Sequence, residues 1–369
     1  MSSDIDDFVE AYTRWQQNPK LVKEAQTLKD LWVEGRRQYK EELKSGVSKA
    51  REAVGQDSAT LTKDWILVVR RWSSDKYRDL QGRSSLTLEG LVGGGYLVSI
   101  KGHLIAVDPG YNFLQNLHTQ GIDIASVDYV LVSHNHLDHT DGLKDLIRVN
   151  RNNKKRRFVI FCNDNVKGTY AQQARGSGIR FETVSGVSKT GRNIGNTGIR
   201  FECRPTNHWE LGPKGKVKGD TMGFVFFKNG APILGMVTDA ASVQNPAVDY
   251  KGARVLVVNL GTLGLSRNHL GITNTANIIK LVHPKLAVIS EFDIDEFRHS
   301  DVRGRAAEVV RIATSIDTLP ADVGLKVELC NPPLIMAKSS GTGEYKMVPF
   351  NMVSVVEDPH TMAIAFMTA

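Results

Sequence analysis

The feature that most constrains this chain is a run of three histidines and an aspartate within six positions, from His134 to His139. An apolar, β-branched segment precedes the run at 127–132, and an apolar helical pattern follows it from Gly142. These flanks predict a buried strand, a loop that displays functional side chains, and a helix. Because imidazole and carboxylate groups are preferred ligands of zinc and similar ions, the run predicts metal binding. The two alternating histidines can converge on one ion, while the aspartate and the last histidine can face a second.

Further ligands are expected at two other strand ends. His208 follows a strand predicted at 199–204, and Asp239 ends a strand predicted at 233–238. One carboxylate that bridges two cations satisfies both and sets their spacing near about 3.5–4 Å. Taken alone, His208 indicates little, and Asp239 would also suit a helix cap.

The order of these motifs, with Asp108-Pro109-Gly110 upstream, resembles the metallo-β-lactamase superfamily over about residues 65–300. The resemblance implies an α/β fold, an αββα sandwich in which two packed sheets carry metal ions at one edge. It implies that the first ion is bound by His134, His136 and His208. The second ion is then bound by Asp138 and His139, and Asp239 bridges the two ions.

The segment from His269 to Glu291 resembles the end of the phosphodiesterase branch, which includes ribonuclease Z and cyclic-phosphate hydrolases. In that branch an early histidine donates a proton and a later histidine, at a spacing similar to the 22 residues found here, completes the second metal site. This alignment makes His269 the general acid and Glu291 the seventh ligand, with glutamate where the branch has histidine. A harder oxygen donor shifts preference toward manganese or magnesium, although zinc stays compatible. Two alternatives stay open: His269 is itself a ligand, or Glu291 caps a helix at 293–297.

The charge distribution bears on the substrate. Residues 1–60 carry ten Lys and Arg against eleven Asp and Glu, whereas the rest of the chain carries 37 against 29. The positive balance therefore lies with the histidine run, where it suits an anionic partner or simply a solvated surface. Six of the ten residues 148–157 are cationic, and a second basic segment, predicted as a loop, lies at 214–218. The predicted substrate-binding residues are Lys154, Lys155, Arg156, Arg157 and Lys216.

Two parts of the chain differ in the spacing of their apolar residues. Residues 1–60 show apolar positions at helical spacing, which predicts an N-terminal helical extension that packs on the main domain or on another subunit. Residues 61–369 read as the catalytic domain, with a glycine triplet at 93–95 that favours a tight hairpin over a phosphate loop. Many strands and no clean βαβ repeat favour stacked sheets with outer helices.

The cellular compartment is predicted from what the sequence lacks. Three well-separated cysteines imply no disulfide framework, and the sequence shows no run long enough to span a membrane and no signal peptide at its acidic start. These features predict a cytoplasmic protein.

The leading hypothesis is a metal-dependent phosphodiesterase or nuclease with two divalent ions, zinc or manganese, acting on a nucleic acid or a (cyclic) nucleotide. A metal-bridging hydroxide oriented by Asp138 would attack phosphorus, and His269 would protonate the leaving oxygen. One alternative is a lactone, thioester or amide hydrolase on the same site, with Trp209 lining an apolar cleft. Another is an effector subunit that needs a partner, or a second copy of itself, through residues 1–60.

Overall fold

The computed structural model describes residues 63–70, 72–73, 94–151, 158–212, 215–264, 266–293, 297, 300–338, 345–348, 355–357 and 364–366. The helical extension predicted at 1–60 lies outside these residues, and the domain boundary at 60 and 61 stays a prediction. Within the described part of the chain, no helix is long and apolar enough to cross a membrane.

The strands are, in chain order, β1 Trp65–Val68, β2 Trp72–Ser73, β3 Tyr96–Ile100, β4 His103–Val107, β5 Tyr129–Leu131, β6 Val159–Cys162, β7 Arg180–Thr183, β8 Gly191–Asn193, β9 Ile199–Pro205, β10 Trp209–Gly212, β11 Gly215–Lys218, β12 Met222–Lys228, β13 Ala231–Val237, β14 Val255–Asn259, β15 Leu286–Ser290, β16 Phe292–Asp293, β17 Thr318–Pro320, β18 Lys326–Glu328, β19 Leu334–Lys338, β20 Tyr345–Val348, β21 Val355–Glu357 and β22 Ile364–Phe366. The α-helices are α1 Phe113–Thr119, α2 Leu137–Thr140, α3 Leu143–Asn150, α4 Asp164–Tyr170, α5 Pro246–Asp249, α6 Ile272–Val282 and α7 Ser300–Thr314.

Two large sheets dominate the described residues. The first has the order β20-β19-β18-β1-β3-β4-β5-β6-β7, and the second has the order β17-β15-β14-β13-β12-β9-β8. Strands β4 to β7 pair in parallel, as do β13, β14, β15 and β17, while the remaining pairs in both sheets are antiparallel. Short hairpins and bridges complete the pairing, among them β10 with β11.

The core has three layers, which explains the continuous apolar strands. Ile66 and Val68 of β1 join the apolar cluster between the two sheets, whereas Trp65 and Leu67 join the cluster under α1 and α3. A third cluster lies between the second sheet and helices α6 and α7. Because side chains alternate across a strand, a strand buried on both faces must be apolar throughout. The αββα sandwich expected from the sequence is confirmed.

Two local expectations were wrong. The basic segment at 214–218, predicted as a loop, contributes strand β11. The strand was missed because three lysines at alternate positions are too short a pattern to indicate a strand. The hairpin between β3 and β4 turns at Lys101 and Gly102, and the glycines at 94 and 95 instead precede β3. Their role is close backbone approach, since a Cβ on Gly94 would lie 1.9 Å from the carbonyl oxygen of Val69.

Gly94→Ala is therefore expected to destabilise the fold strongly. The positive φ of +108° at Gly94 alone costs an L-residue about 1–3 kcal/mol, and the contact with Val69 adds to that loss in the free energy of unfolding. Gly121→Ala is the matched control, because Gly121 also has a positive φ but has open space around its Cβ position. Urea denaturation of both variants measures the difference; equal losses would contradict the role of close approach.

Candidate metal centre

The predicted ligands come from strand ends that meet at one edge of the sandwich. The histidine run occupies the loop after β5 and the short helix α2, with His136 as the helix N-cap. Strands β9 and β13 are each antiparallel to β12, so both run in the same direction. His208 follows β9 and Asp239 follows β13, so both residues arrive at the same end of the second sheet as neighbours.

The structure brings six of the seven predicted ligands into two groups. In the first group, one potential ligand atom from each side chain lies within 4.8 Å of the others, and all the residues are buried. The second group meets the same limit and shares one aspartate with the first. The first group is His134, His136, His208 and Asp239; the second is Asp138, His139 and Asp239.

Burial keeps the histidines of the first group neutral. It lowers the pKa of His134 well below the ordinary value of 6.5, and it lowers the pKa of His136 to about 4. Burial lowers the pKa of His208 as well. Neutral imidazole is the form that binds a metal ion, so these side chains need not lose a proton first.

One ring of the first group supports the fit of a metal ion. His208 Nε2 is buried, has no hydrogen-bond partner among the described residues, and lies 3.8 Å from Asp239 Oδ2. His208 Nδ1 donates to the carbonyl oxygen of Asn268 at 2.8 Å. A ring held through Nδ1 with Nε2 directed inward is the arrangement that a histidine ligand requires. The His and Asp cluster could thus bind metal.

Asp108, from the upstream Asp-Pro-Gly motif, supports the start of the histidine run. Its carboxylate accepts hydrogen bonds from the backbone N–H and the hydroxyl of Ser133, each at 2.7 Å. The Ser133 hydroxyl also lies 2.9 Å from His134 Nδ1. Asp108 Oδ2 also lies 3.0 Å from His139 Nδ1, so one buried carboxylate lies next to both groups.

The second group carries more negative charge. His139 Nε2 lies 3.4 Å from Asp138 Oδ2 and 3.5 Å from Asp239 Oδ2. Burial alone would lower the pKa of His139, but the carboxylates, Asp138 first, outweigh burial and raise it well above 6.5. Burial alone would raise the pKa of Asp138, but His139 and then Arg70 outweigh burial and lower it.

The seventh predicted ligand, Glu291, lies outside both groups. Its buried carboxylate forms an ion pair with the Arg70 guanidinium, and its Oε1 lies 3.6 Å from His139 Nε2. The open alternative, a helix cap at 293–297, involves residues outside the described part of the chain. Glu291, the residue predicted to complete the second metal site, is therefore engaged in a salt bridge.

His269 stands at the exposed rim of the first group and belongs to neither group. Its Nδ1 lies 3.8 Å from Asp239 Oδ2, and 34% of its side chain is exposed. Gly261 makes room for it, because a Cβ there would lie 2.5 Å from His269 Cβ. A histidine that is open to solvent and next to the centre can exchange protons with a bound molecule.

A family comparison decides the classification. The model of the β-lactamase superfamily domain matches residues 103–290, which is about half of the chain and spans every predicted ligand except Glu291. The chain belongs to the β-lactamase superfamily. Its relatives in this superfamily are metal-dependent hydrolases, and the chain is a hydrolase of the β-lactamase superfamily.

Solved structures share this fold at low sequence identity. The metallo-β-lactamase fold protein YhfI from Bacillus subtilis superposes with a TM-score of 0.57 and 13% identity, covering 72% of this chain and 98% of its own. A diphosphatase of the PhnP family gives 0.56 and 15%, covering 72% and 98%. The short form of human tRNase Z gives 0.53 and 11%, covering 72% and 99%. A comparison with curated protein sequences found no match.

Of the five predicted substrate-binding residues, the structure describes only Lys216. Lys154, Lys155, Arg156 and Arg157 fall in 152–157, outside the described residues. Lys216 belongs to β11, whose partner β10 begins directly after His208. The backbone of Lys216 therefore lies in a hairpin that begins next to the first group.

Sequence reasoning missed Glu210, which supports the histidine run. This fully buried carboxylate accepts hydrogen bonds from the backbone N–H of Asn135 at 3.0 Å, from Asn163 Nδ2 at 2.8 Å and from Asn165 Nδ2 at 2.8 Å. Asn135 sits between the first two histidines of the run. No motif marks Glu210, because its partner is 75 positions away.

Glu210→Gln is expected to weaken metal binding about 10-fold, in the range for residues that orient ligands. The amide cannot accept all the hydrogen bonds that the carboxylate accepts, so the loop around Asn135 loosens. Isothermal titration with Mn²⁺ measures the effect. Glu202→Gln is the control, since Glu202 pairs with arginines on β9 away from the centre. An unchanged affinity in Glu210→Gln would contradict this role.

Proposed function

We propose that the chain hydrolyses phosphodiesters of a nucleic acid or a nucleotide, with a divalent zinc or manganese ion at the first group. The observation that carries this proposal is the position of His269. Its partly exposed imidazole has Nδ1 3.8 Å from Asp239 Oδ2, the carboxylate of the first group, which suits a proton donor. Cleavage of a phosphodiester expels an alkoxide, a poor leaving group that gains most from protonation.

The chain's own residues divide the remaining work. The ion, when bound, supplies Lewis acidity and lowers the pKa of the attacking water. Asp138 stays ionised, because its neighbours hold its pKa low, and its carboxylate orients that water in line with the scissile bond. With Nδ1 turned toward Asp239, His269 gives the proton on Nε2 to the leaving oxygen as the P–O bond breaks. The products are a phosphomonoester and an alcohol.

Charge supports an anionic substrate. The chain outside residues 1–60 carries 37 Lys and Arg against 29 Asp and Glu. The β10–β11 hairpin next to His208 contributes Lys216 and Lys218 in its second strand. A positive field raises the local concentration of anions and their rate of association. Two structures with the same fold, the diphosphatase and tRNase Z, have names that fit phosphoester substrates.

A second candidate, hydrolysis of a lactone, thioester or amide, draws on one observation. The Trp209 ring packs edge-on against His136, with 4.2 Å between the ring centroids. An indole beside the centre would suit an apolar acyl group. An activated carbonyl needs less help from a proton donor, so this candidate leaves His269 without a clear task.

A substrate panel separates the two candidates. The full chain, loaded with Mn²⁺ or Zn²⁺, is assayed with bis-p-nitrophenyl phosphate, a dinucleotide and a set of lactones and thioesters. We expect metal-dependent turnover of the phosphodiesters that chelation abolishes. Turnover of the lactones or thioesters alone would contradict the proposal.

A further inference from the structure

Arg70 is a fully buried cation in the wall of the second group. It follows β1 by two residues, and its guanidinium contacts two of the residues predicted as ligands of the second ion. It forms an ion pair with the carboxylate of Glu291, and its Nη2 donates to the backbone carbonyl oxygen of Asp138. No sequence motif assigned it a role.

The fold holds this pair in place from both sides. A Cβ on Gly94 would lie 3.0 Å from Arg70 Cα, so only glycine admits the backbone there. Asn116 Nδ2 donates to the carbonyl oxygen of Val69 at 2.8 Å and fixes the peptide that precedes the arginine. Glu291 adopts a left-handed backbone with φ 57°, which is uncommon for glutamate and is retained where the surroundings require it.

The guanidinium of Arg70 lies beside the second group, between Glu291 and the backbone of Asp138. Burial weakens the screening of its positive charge. A divalent ion between Asp138 and His139 would therefore face a like charge held against the backbone of Asp138. Glu291, the residue predicted to complete that site, already serves as the counter-ion of Arg70.

We propose that Arg70 supplies the positive charge of the second group in place of a second metal ion, so that the chain binds one divalent ion. This inference rests on the proposed function, which assigns the first group as the metal site. It replaces the expectation of two ions. His139 and Asp138 then act through their charges rather than as ligands of a second ion.

The number of bound ions tests the proposal directly. The full chain is stripped of metal and titrated with Mn²⁺, and bound ions are counted by native mass spectrometry. Electron paramagnetic resonance distinguishes an isolated Mn²⁺ from an exchange-coupled pair. We expect one ion per chain and an isolated Mn²⁺ spectrum, even at a tenfold excess of metal. Two ions of similar affinity with a coupled spectrum would overturn the proposal.

Two variants separate charge from packing. Arg70→Met removes the cation and releases Glu291, so a second ion is expected to bind at least tenfold more tightly than to the wild type. Arg70→Lys is the matched control, because it keeps a positive charge and should keep one ion. Circular dichroism checks folding. A folded Arg70→Met protein that still takes one ion would overturn the role of Arg70.

The same titration distinguishes this inference from the proposed function. A wild-type chain that binds no ion would contradict the assignment of the first group and with it the proposed function. A wild-type chain that binds two ions contradicts only the role of Arg70. If Arg70→Met does not fold, the wild-type count still decides the matter.

Discussion

Asp239→Asn is expected to weaken metal binding by more than about 100-fold, beyond the effect of losing a residue that only orients a ligand, and to abolish detectable hydrolysis. Asp239 is the one residue shared by both groups. Its Oδ2 lies 3.5 Å from His139 Nε2 and 3.8 Å from His208 Nε2. Asparagine keeps the shape but loses the negative charge that a divalent ion requires. Calorimetric titration with Mn²⁺ and Zn²⁺ measures the affinity.

The chain offers a matched control for this variant. Asp249 is also a buried aspartate, but it pairs with Lys189 and lies outside both groups. Asp249→Asn should alter stability without changing the metal affinity. Wild-type affinity in a folded Asp239→Asn protein would show that the ion binds elsewhere.

A second large effect is expected for His269→Gln, and its size should depend on the leaving group. A positioned general acid contributes about 10²–10⁴-fold to the rate when the leaving oxygen must be protonated. A dinucleotide, which expels an alkoxide, should therefore lose about that factor in kcat. A p-nitrophenyl ester should lose far less, because p-nitrophenolate leaves without a proton. The two rates are compared at saturating substrate and metal.

The leaving-group series also has an internal control. His283 is an exposed histidine at the end of α6 and lies away from the centre, so His283→Gln should leave both rates unchanged. Equal losses for both substrates in His269→Gln would assign His269 to substrate binding or structure. Metal affinity should stay at the wild-type value, because His269 belongs to neither group.

The first group could be predicted from sequence because its members follow apolar strands. Each ligand stands within a few positions of a strand end, and strands that run in the same direction bring their ends to one edge. Together with the resemblance to the metallo-β-lactamase superfamily, that reasoning placed His208 and Asp239 beside the histidine run, as the structure has them. It needed no knowledge of side-chain packing.

The partners of the centre could not be predicted in this way. Arg70 and Glu291 meet across 221 positions, and Glu210 reaches Asn135 across 75. Such contacts depend on how two sheets pack, which no local period encodes. A buried arginine beside the end of a strand looks the same in sequence as an exposed one.

The parallel strands of the first sheet were missed for a related reason. Helix α1, between β4 and β5, has seven residues, and α2 and α3, between β5 and β6, have four and eight. Helices this short show barely two turns of apolar periodicity, so the βαβ pattern does not stand out. The two-layered sheet arrangement was still predictable, because it follows from the number and apolar character of the strands.

The metal position and its relation to His269 are tested most directly by an experimental structure of the manganese-loaded chain with a dinucleotide phosphorothioate. Anomalous scattering locates the ion without ambiguity. We expect an ion among His134, His136, His208 and Asp239, with the leaving oxygen of the substrate within hydrogen-bond reach of His269. An ion outside this group, or a nucleotide bound away from His269, would contradict it.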